Sequence, residues 1–192
     1  YLPNTSIIIA NGSLDLPNVY GIIADEQNGL TNCVKLLFEK GRKKLAFILD
    51  NFTPSNKLKK EGFEAGIRQW YPGMAPLVLT CESSLQGAAA ITQTLIKDHP
   101  DIDGIVYAVD LLAIGGMHAL QAMKIRIPEQ VSVIGVDNST YAEVCTPALT
   151  SLDNKMQDMS IIAARNLIDV MQGRHISKDM MIISTIVERQ TT

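Results

Sequence analysis

The chain has 192 residues, 46% of them hydrophobic and 19% charged, enough apolar material for one large or two small folded domains and too much for a disordered chain. A net charge of −3 and a pI near 5.6 argue against a piece that grips nucleic acid by itself, which takes a basic face.

In chain order, Ile7 to Ile9 and Val19 to Ala24 read as short strands around a turn-rich segment with Asn11-Gly12 and Pro17-Asn18. Asp25 then stands as an N-cap before a helix carrying Leu30, Val34 and Leu37, which stops at Gly41. Leu45 to Leu49 is a continuous apolar strand ending at Asp50. A polar segment, Asn51 to Asn56, precedes a helix expected from about Lys57 to Trp70, with Phe63, Ile67 and Trp70 as its buried stripe. Extended back, that stripe lands on Lys59, which places the lysine over the edge of the sheet. Leu77 to Thr80 is a strand, and Ser83-Ser84-Leu85-Gln86 has the form of a capping box opening the next helix. Gly104 to Val109 is a further strand, Asp110 follows, and Ala113, Met117 and Leu120 place a helix behind it. Val131 to Val136 is an unbroken apolar run suited to a parallel strand covered on both faces, with Asp137 at its carboxyl end. After Pro147, Leu149 to Leu152 is extended. The helix from Met156 to Met171 is apolar on more than half its circumference, predicting packing on more than one side, and Met180 to Val187 is the final strand. Strand and helix alternate almost throughout, so the fold class is α/β with parallel sheets and right-handed crossovers. Composition breaks at Asn51 to Asn56 and at Asp153-Asn154 suggest a central block that the chain enters once and leaves once.

Several strands end in an acid: Asp25, Asp50, Asp110 and Asp137, with Glu82 just past another. These carboxylates either line a crevice that accepts hydrogen bonds from a hydroxyl-rich or cationic ligand, or cap helices. Helix capping is favoured for Asp25 and Asp110, whereas for Asp137, after which no helix pattern begins, site and turn roles stand even. No nucleophile elbow, Walker loop or dinucleotide fingerprint is present, and His99, His118 and His175 are scattered in the manner of surface residues. Asp50 faintly resembles an aspartyl phosphotransferase loop, but Phe52 stands where the second acid would be. Cys33, Cys81 and Cys145 have no metal-ligand spacing and read as reduced buried thiols, so neither metal nor cofactor is expected. Gly115-Gly116 allows another backbone to approach closely, within the domain or across a subunit interface. No segment has the length to span a bilayer or the form of a signal peptide, and the first residue is Tyr1 instead of Met, which points to a lost upstream part.

Ile127-Pro128, Val131-Ser132-Val133, Gly135-Val136-Asp137 and Pro147-Ala148-Leu149-Thr150 stand at spacings that closely resemble the C-terminal signature of the LacI/GalR family, the lactose- and galactose-repressor class of bacterial transcription regulators. Asp25 with Gly29, Gly41-Arg42-Lys43-Lys44, Lys59-Lys60-Glu61-Gly62-Phe63, Asp110 with Ala113 and Gly115, and Arg189 extend the resemblance from about Leu2 to Thr192. It implies two three-layer α/β subdomains of the type I periplasmic-binding-protein topology around a cleft, the first incomplete at its N-terminus: residues 1–50 plus 154–175, and 51–153 plus 176–192. It also implies a cytoplasmic, non-enzymatic homodimer that senses a small-molecule effector, a sugar or sugar derivative. Such a protein meets operator DNA only through an N-terminal helix-turn-helix domain absent from this sequence. A solute-binding protein of a sugar transport system is the second reading and a phosphotransfer enzyme the third. By the resemblance the effector site holds Lys59 and Asp137 facing one another, with Thr53, Ser55, Glu82, Val109 and Asp110 nearby. Lys59 stands in place of the family's arginine and Val109 in place of its asparagine, departures that point toward a modified or charged effector or a partner protein.

Overall fold

The computed structural model describes residues 5–192, so the starting points at Tyr1 and Leu2 lie outside the described residues. In chain order the elements are β1 (Ile7–Ala10), β2 (Val19–Ala24), α1 (Glu26–Glu39), β3 (Leu45–Leu49), α2 (Pro54–Trp70), β4 (Leu77–Thr80), α3 (Leu85–Asp98), β5 (Gly104–Tyr107), α4 (Asp110–Ala122), β6 (Ser132–Val136), α5 (Thr140–Val144), β7 (Thr150–Asp153), α6 (Met156–Met171), β8 (Asp179–Ile182) and β9 (Thr185–Val187). They divide into two compact units: the chain up to Asp25 with Asn154–Ser184, and Glu26–Asp153 with Thr185–Thr192.

The larger unit is a six-stranded sheet in the order β4-β3-β5-β6-β7-β9, parallel except for β9, which runs antiparallel to β7. Every residue of β3, β5 and β6 is buried, as expected of apolar runs with helices on both sides. The period of two sorts the side chains. Leu45, Phe47 and Leu49 join Leu30, Leu37, Phe63 and Ile67 beneath α1 and α2, while Ala46 and Ile48 join Leu95, Leu112 and Leu120 beneath α3 and α4. Gly41, at φ +78°, ends α1, with Arg42 N–H donating to the Leu37 carbonyl at 3.0 Å, so that orphan carbonyls at the helix end are satisfied. Gly115 serves packing inside this unit, since a Cβ there would lie 2.4 Å from the Leu85 carbonyl oxygen of α3.

The smaller unit is a parallel sheet in the order β1-β2-β8, with α6 packed on it through Met159, Ile162 and Ala163 against Ile22, Ala24 and Ile182. Here α6 is covered on one side only among the described residues: Ile161, Leu167, Ile168 and Met171 are exposed, contrary to the packing expected from its composition.

Several expected boundaries move. Residues 26–50 belong to the larger unit, because β3 pairs with β4 and β5 and α1 packs on α2, so the expected division at Asp50 is replaced by one at Asp25. The single final strand is two: β8 pairs with β2 in the smaller sheet, and only β9 joins the larger, so the second division falls after Ser184 and not after 175. Asn51 to Asn56 is no domain break, since α2 starts at Pro54, with Thr53 as N-cap accepting from Asn56 N–H at 3.1 Å. Helix α3 is capped by Ser84, one residue later than the capping box would have it.

At Gly62, α2 comes so close to α1 that a Cβ would lie 2.1 Å from the Gln27 carbonyl oxygen. Gly62→Ala is therefore expected to destabilise the chain by about 2 kcal/mol in urea unfolding, the usual cost of overpacking a rigid backbone contact. An unchanged midpoint would mean that the two helices separate freely.

Candidate functional site

In the larger unit, β3, β4, β5, β6 and β7 all run the same way, so Asp50, Glu82, Asp110, Asp137 and Asp153 come to one edge of the sheet, its carboxyl end. The chain steps outward from β3 to β4 and then back across to β5, which makes the gap between β3 and β5 the switch point where ligands of open α/β sheets bind.

Asp110 alone of these acids is buried. It is the first residue of α4, but it does not cap that helix: the N-cap position is Val109, with no side-chain cap bond, and the capping role expected of Asp110 is not observed. Its buried carboxylate accepts from Ser151 Oγ at 2.6 Å and from Ser139 N–H at 2.7 Å. Burial pushes its pKa above the ordinary carboxylate range, and the hydrogen bonds from Ser151 and Ser139 offset only part of that rise. Gly135 makes room for it, since a Cβ there would lie 2.2 Å from Asp110 Oδ1. This is the local reason for glycine two residues before Asp137.

Asp137 follows β6 directly, exposed, with φ +100°, and Asn138 follows at φ +48°. Two successive non-glycine residues in left-handed backbone form a strained turn. It is tied down by Asp137 N–H to the Leu152 carbonyl at 2.8 Å and by Asn138 N–H to Ser151 Oγ at 2.9 Å. The short helix α5, capped at Ser139, follows where the sequence showed no helix pattern.

Lys59 reaches the same edge, near the end of β5, but does not present its ammonium there. It is 4% exposed, donates to the Ala108 carbonyl at 3.0 Å and lies 3.4 Å from Glu26 Oε1, itself 3% exposed. Ser55 donates to the same Glu26 oxygen at 2.8 Å. Asp137 follows the neighbouring strand β6, so the structure brings Lys59 and Asp137 to one edge while giving Lys59 to Glu26, a partner that sequence reasoning missed. Thr53 is occupied as the cap of α2, and Glu82 and Val109 stand at the ends of β4 and β5, Glu82 exposed. Asp50, expected among the strand-end acids but not among the effector-site residues, accepts from Ser83 Oγ at 2.6 Å and from Asn56 Nδ2 at 2.9 Å. Partial burial works to raise its pKa, but these hydrogen bonds outweigh it and the net shift is downward, so Asp50 is held as a carboxylate.

A concavity of about 600 Å³ lies at the opposite end of the sheet, between Lys43-Lys44, Tyr71 to Leu77 and His99 to Ile102. Two of its backbone donors are already used, since Lys43 and Lys44 N–H both donate to Asp103 Oδ1, at 2.9 and 2.8 Å. His99, His118 and His175 are all exposed. The cysteines are free, and burial raises the Cys33 thiol to about 12 and the Cys81 thiol to about 11, which leaves both poor nucleophiles. Among the described residues no group of three His, Cys, Asp or Glu side chains is placed to hold a metal ion, and no helix is long and apolar enough to cross a membrane.

Residues 34–192 match the model of the periplasmic binding protein-like domain. The chain belongs to that family. A relative from Lachnoclostridium phytofermentans, an HTH-type transcriptional regulator, is 29% identical over 97% of this chain and 56% of its own length. The structure of the transcriptional regulator CelR in complex with cellobiose superposes with a TM-score of 0.82 at 25% identity, over 93% of this chain and 56% of that one. A LacI family regulator from Enterococcus faecium with bound ribose superposes with a TM-score of 0.85 at 22% identity, over 96% of this chain and 69% of that one. This periplasmic binding protein-like chain spans about half the length of the curated relatives it matches. Its α/β architecture and its resemblance to LacI-family regulators both stand.

Asp110 yields a pH signature. A carboxyl held above its ordinary range in the folded state contributes stability that is present at low pH and is lost as pH rises through the folded value. Wild type should therefore lose stability relative to Asp110→Asn over the pH interval that starts at the ordinary carboxylate range and runs upward, read by urea unfolding. A difference that stays flat over that interval would show Asp110 to be as easily ionised as a solvated carboxyl.

Proposed function

We propose that this chain is the effector-binding and dimerisation region of a cytoplasmic bacterial transcription repressor. It senses a hydroxyl-rich small molecule, a sugar or sugar derivative, at the carboxyl edge of the six-stranded sheet. The observation that carries the reading is the Asp137 turn: an exposed carboxylate in a strained, well-braced conformation at a strand end, in a fold shared with regulators whose structures hold cellobiose and ribose. A carboxylate accepts from two sugar hydroxyls at once, and Asp50 adds a second acceptor at the switch point. The HTH-type names of the relatives favour a regulator over a transport protein. Ligand influences DNA in such a protein only through unequal affinity for two conformations.

Asp137 is testable without unfolding the protein. Glycine suits φ +100°, so Asp137→Gly should match or exceed wild-type stability by about 1 kcal/mol while removing the carboxylate. In calorimetric titrations with ribose, cellobiose and lactose, the sugar that wild type binds should give no heat with Asp137→Gly or Asp137→Asn. Retained binding by both variants would remove Asp137 from the site.

Dimerisation is assigned to the outer face of α4 and to α5 near Cys145. Tyr141 and Val144 are 69% and 70% exposed there, and Leu111 is exposed beside them. Sedimentation of the full-length protein at micromolar concentration should show a dimer, weakened by about tenfold or more in Tyr141→Glu. A wild-type monomer under those conditions would refute the assignment.

A further inference from the structure

We propose that Arg189 is the positioning residue of the effector site, holding the Asp137-Asn138 turn in its left-handed conformation so that the Asp137 carboxylate stands ready for a ligand hydroxyl. The proposal rests on the effector reading above and adds to it a residue that is not itself required to touch ligand.

Arg189 lies beyond β9, and its guanidinium spans two parts of the site wall. One nitrogen, Nη2, donates to Asn138 Oδ1 at 2.7 Å, and Nη1 donates to the Leu149 carbonyl at 2.8 Å. Its own backbone N–H is fixed on Thr150 Oγ1 at 2.8 Å, so the side chain projects from an anchored point. Three further restraints on the turn act through backbone N–H groups: Asp137 to Leu152, Asn138 to Ser151 and Ser139 to Asp110. Arg189 holds the turn by a side chain, on the second of the two left-handed residues. Neither residue has glycine's freedom, and such a pair persists only when its surroundings over-determine it. The planar fork satisfies an amide oxygen and a backbone carbonyl together, whereas a lysine ammonium is a point charge on a flexible stem that cannot reproduce that geometry. Pre-orienting Asp137 matters because an acceptor on a mobile turn loses ordering entropy each time a ligand docks.

The experiment uses the full-length protein as wild type, Arg189→Lys, Asn138→Asp and Asn138→Leu. It combines amide hydrogen exchange with titrations of ribose, cellobiose and lactose. In Arg189→Lys the amides of Asn138 and Ser139 should exchange about tenfold faster while those of Phe47 and Val106 in the sheet stay as in wild type. Affinity for the sugar that wild type binds should fall by about tenfold or more. Asn138→Asp, which keeps an oxygen for the guanidinium, should retain that affinity to within about threefold, and Asn138→Leu should lose it as Arg189→Lys does. Sugar binding by Arg189→Lys equal to wild type overturns the positioning role alone. Uniformly faster exchange across the sheet also overturns it, since Arg189 would then be a residue of general stability. If wild type binds none of the sugars, the effector reading fails and takes this proposal with it, whatever the exchange data show.

Discussion

The constraint on which the larger unit depends is that its central strands are covered on both faces. With β3, β5 and β6 wholly buried, a charge along their length would have to be desolvated, so the ionisable chemistry is pushed past the strand ends. Polar groups that do lie inside are mostly paired there. The Tyr107 hydroxyl shares a 2.8 Å hydrogen bond with Thr92 Oγ1, and burial drives its pKa upward. Ser132 Oγ, on β6, is one of four exceptions among the described residues, with Arg42 Nε, Trp70 Nε1 and Ser139 Oγ, buried without a hydrogen-bond partner. Parallel strand direction then collects the displaced carboxylates at a single edge.

That edge needs a scaffold, and the end of the chain supplies part of it. The Thr191 carbonyl and hydroxyl are not left to solvent beside β6: Val133 N–H donates to the Thr191 carbonyl at 2.9 Å, and Thr191 Oγ1 donates to the Val133 carbonyl at 2.6 Å. Gln190 exchanges hydrogen bonds with Ala148 through its backbone N–H and its side-chain oxygen, both at 2.9 Å. Arg189 therefore leaves a segment stitched down on either side of it. The Asp110 shelf completes the support from the α4 side, and Gly135 is the position that lets carboxylate and strand come together.

Much of this fold was legible because it is local. Continuous apolar runs marked β3 and β6, helical spacing marked α6 to the residue, and Gly41 marked a helix end through its backbone conformation. What was not legible depends on partners distant in sequence. The division at Asp25 follows from α1 packing on α2 through Gly62 and through Glu26 with Lys59, and nothing near Asp50 reveals that. The split of the last strand has no glycine or proline to announce it. It turns on buried Ser184, whose hydroxyl donates to Asn154 Oδ1 at 2.9 Å. In the site, Asp137 could be found from its place after an apolar strand, whereas Asp110 looked like a helix cap because an acid at a helix start satisfies both roles in sequence.

Lys59 bears most directly on what the edge can hold. A buried ion pair adds little net stability, because desolvating both ions offsets their attraction, but losing one partner strands the other at a large cost. The pair with Glu26, braced by Ser55 and the Ala108 carbonyl, thus fixes the start of α1 against α2 and spends the lysine's charge internally. An anionic effector brought to this edge would meet Asp50, held as a carboxylate, together with Asp137 and Glu82, and would find the Lys59 ammonium already neutralised. With lysine in place of the family's arginine, the charge at this position is buried against Glu26 and the Ala108 carbonyl. On the effector reading proposed above, hydroxyl donors would gain from these carboxylates without having to displace Glu26, whereas an acidic group would bring its own negative charge against them.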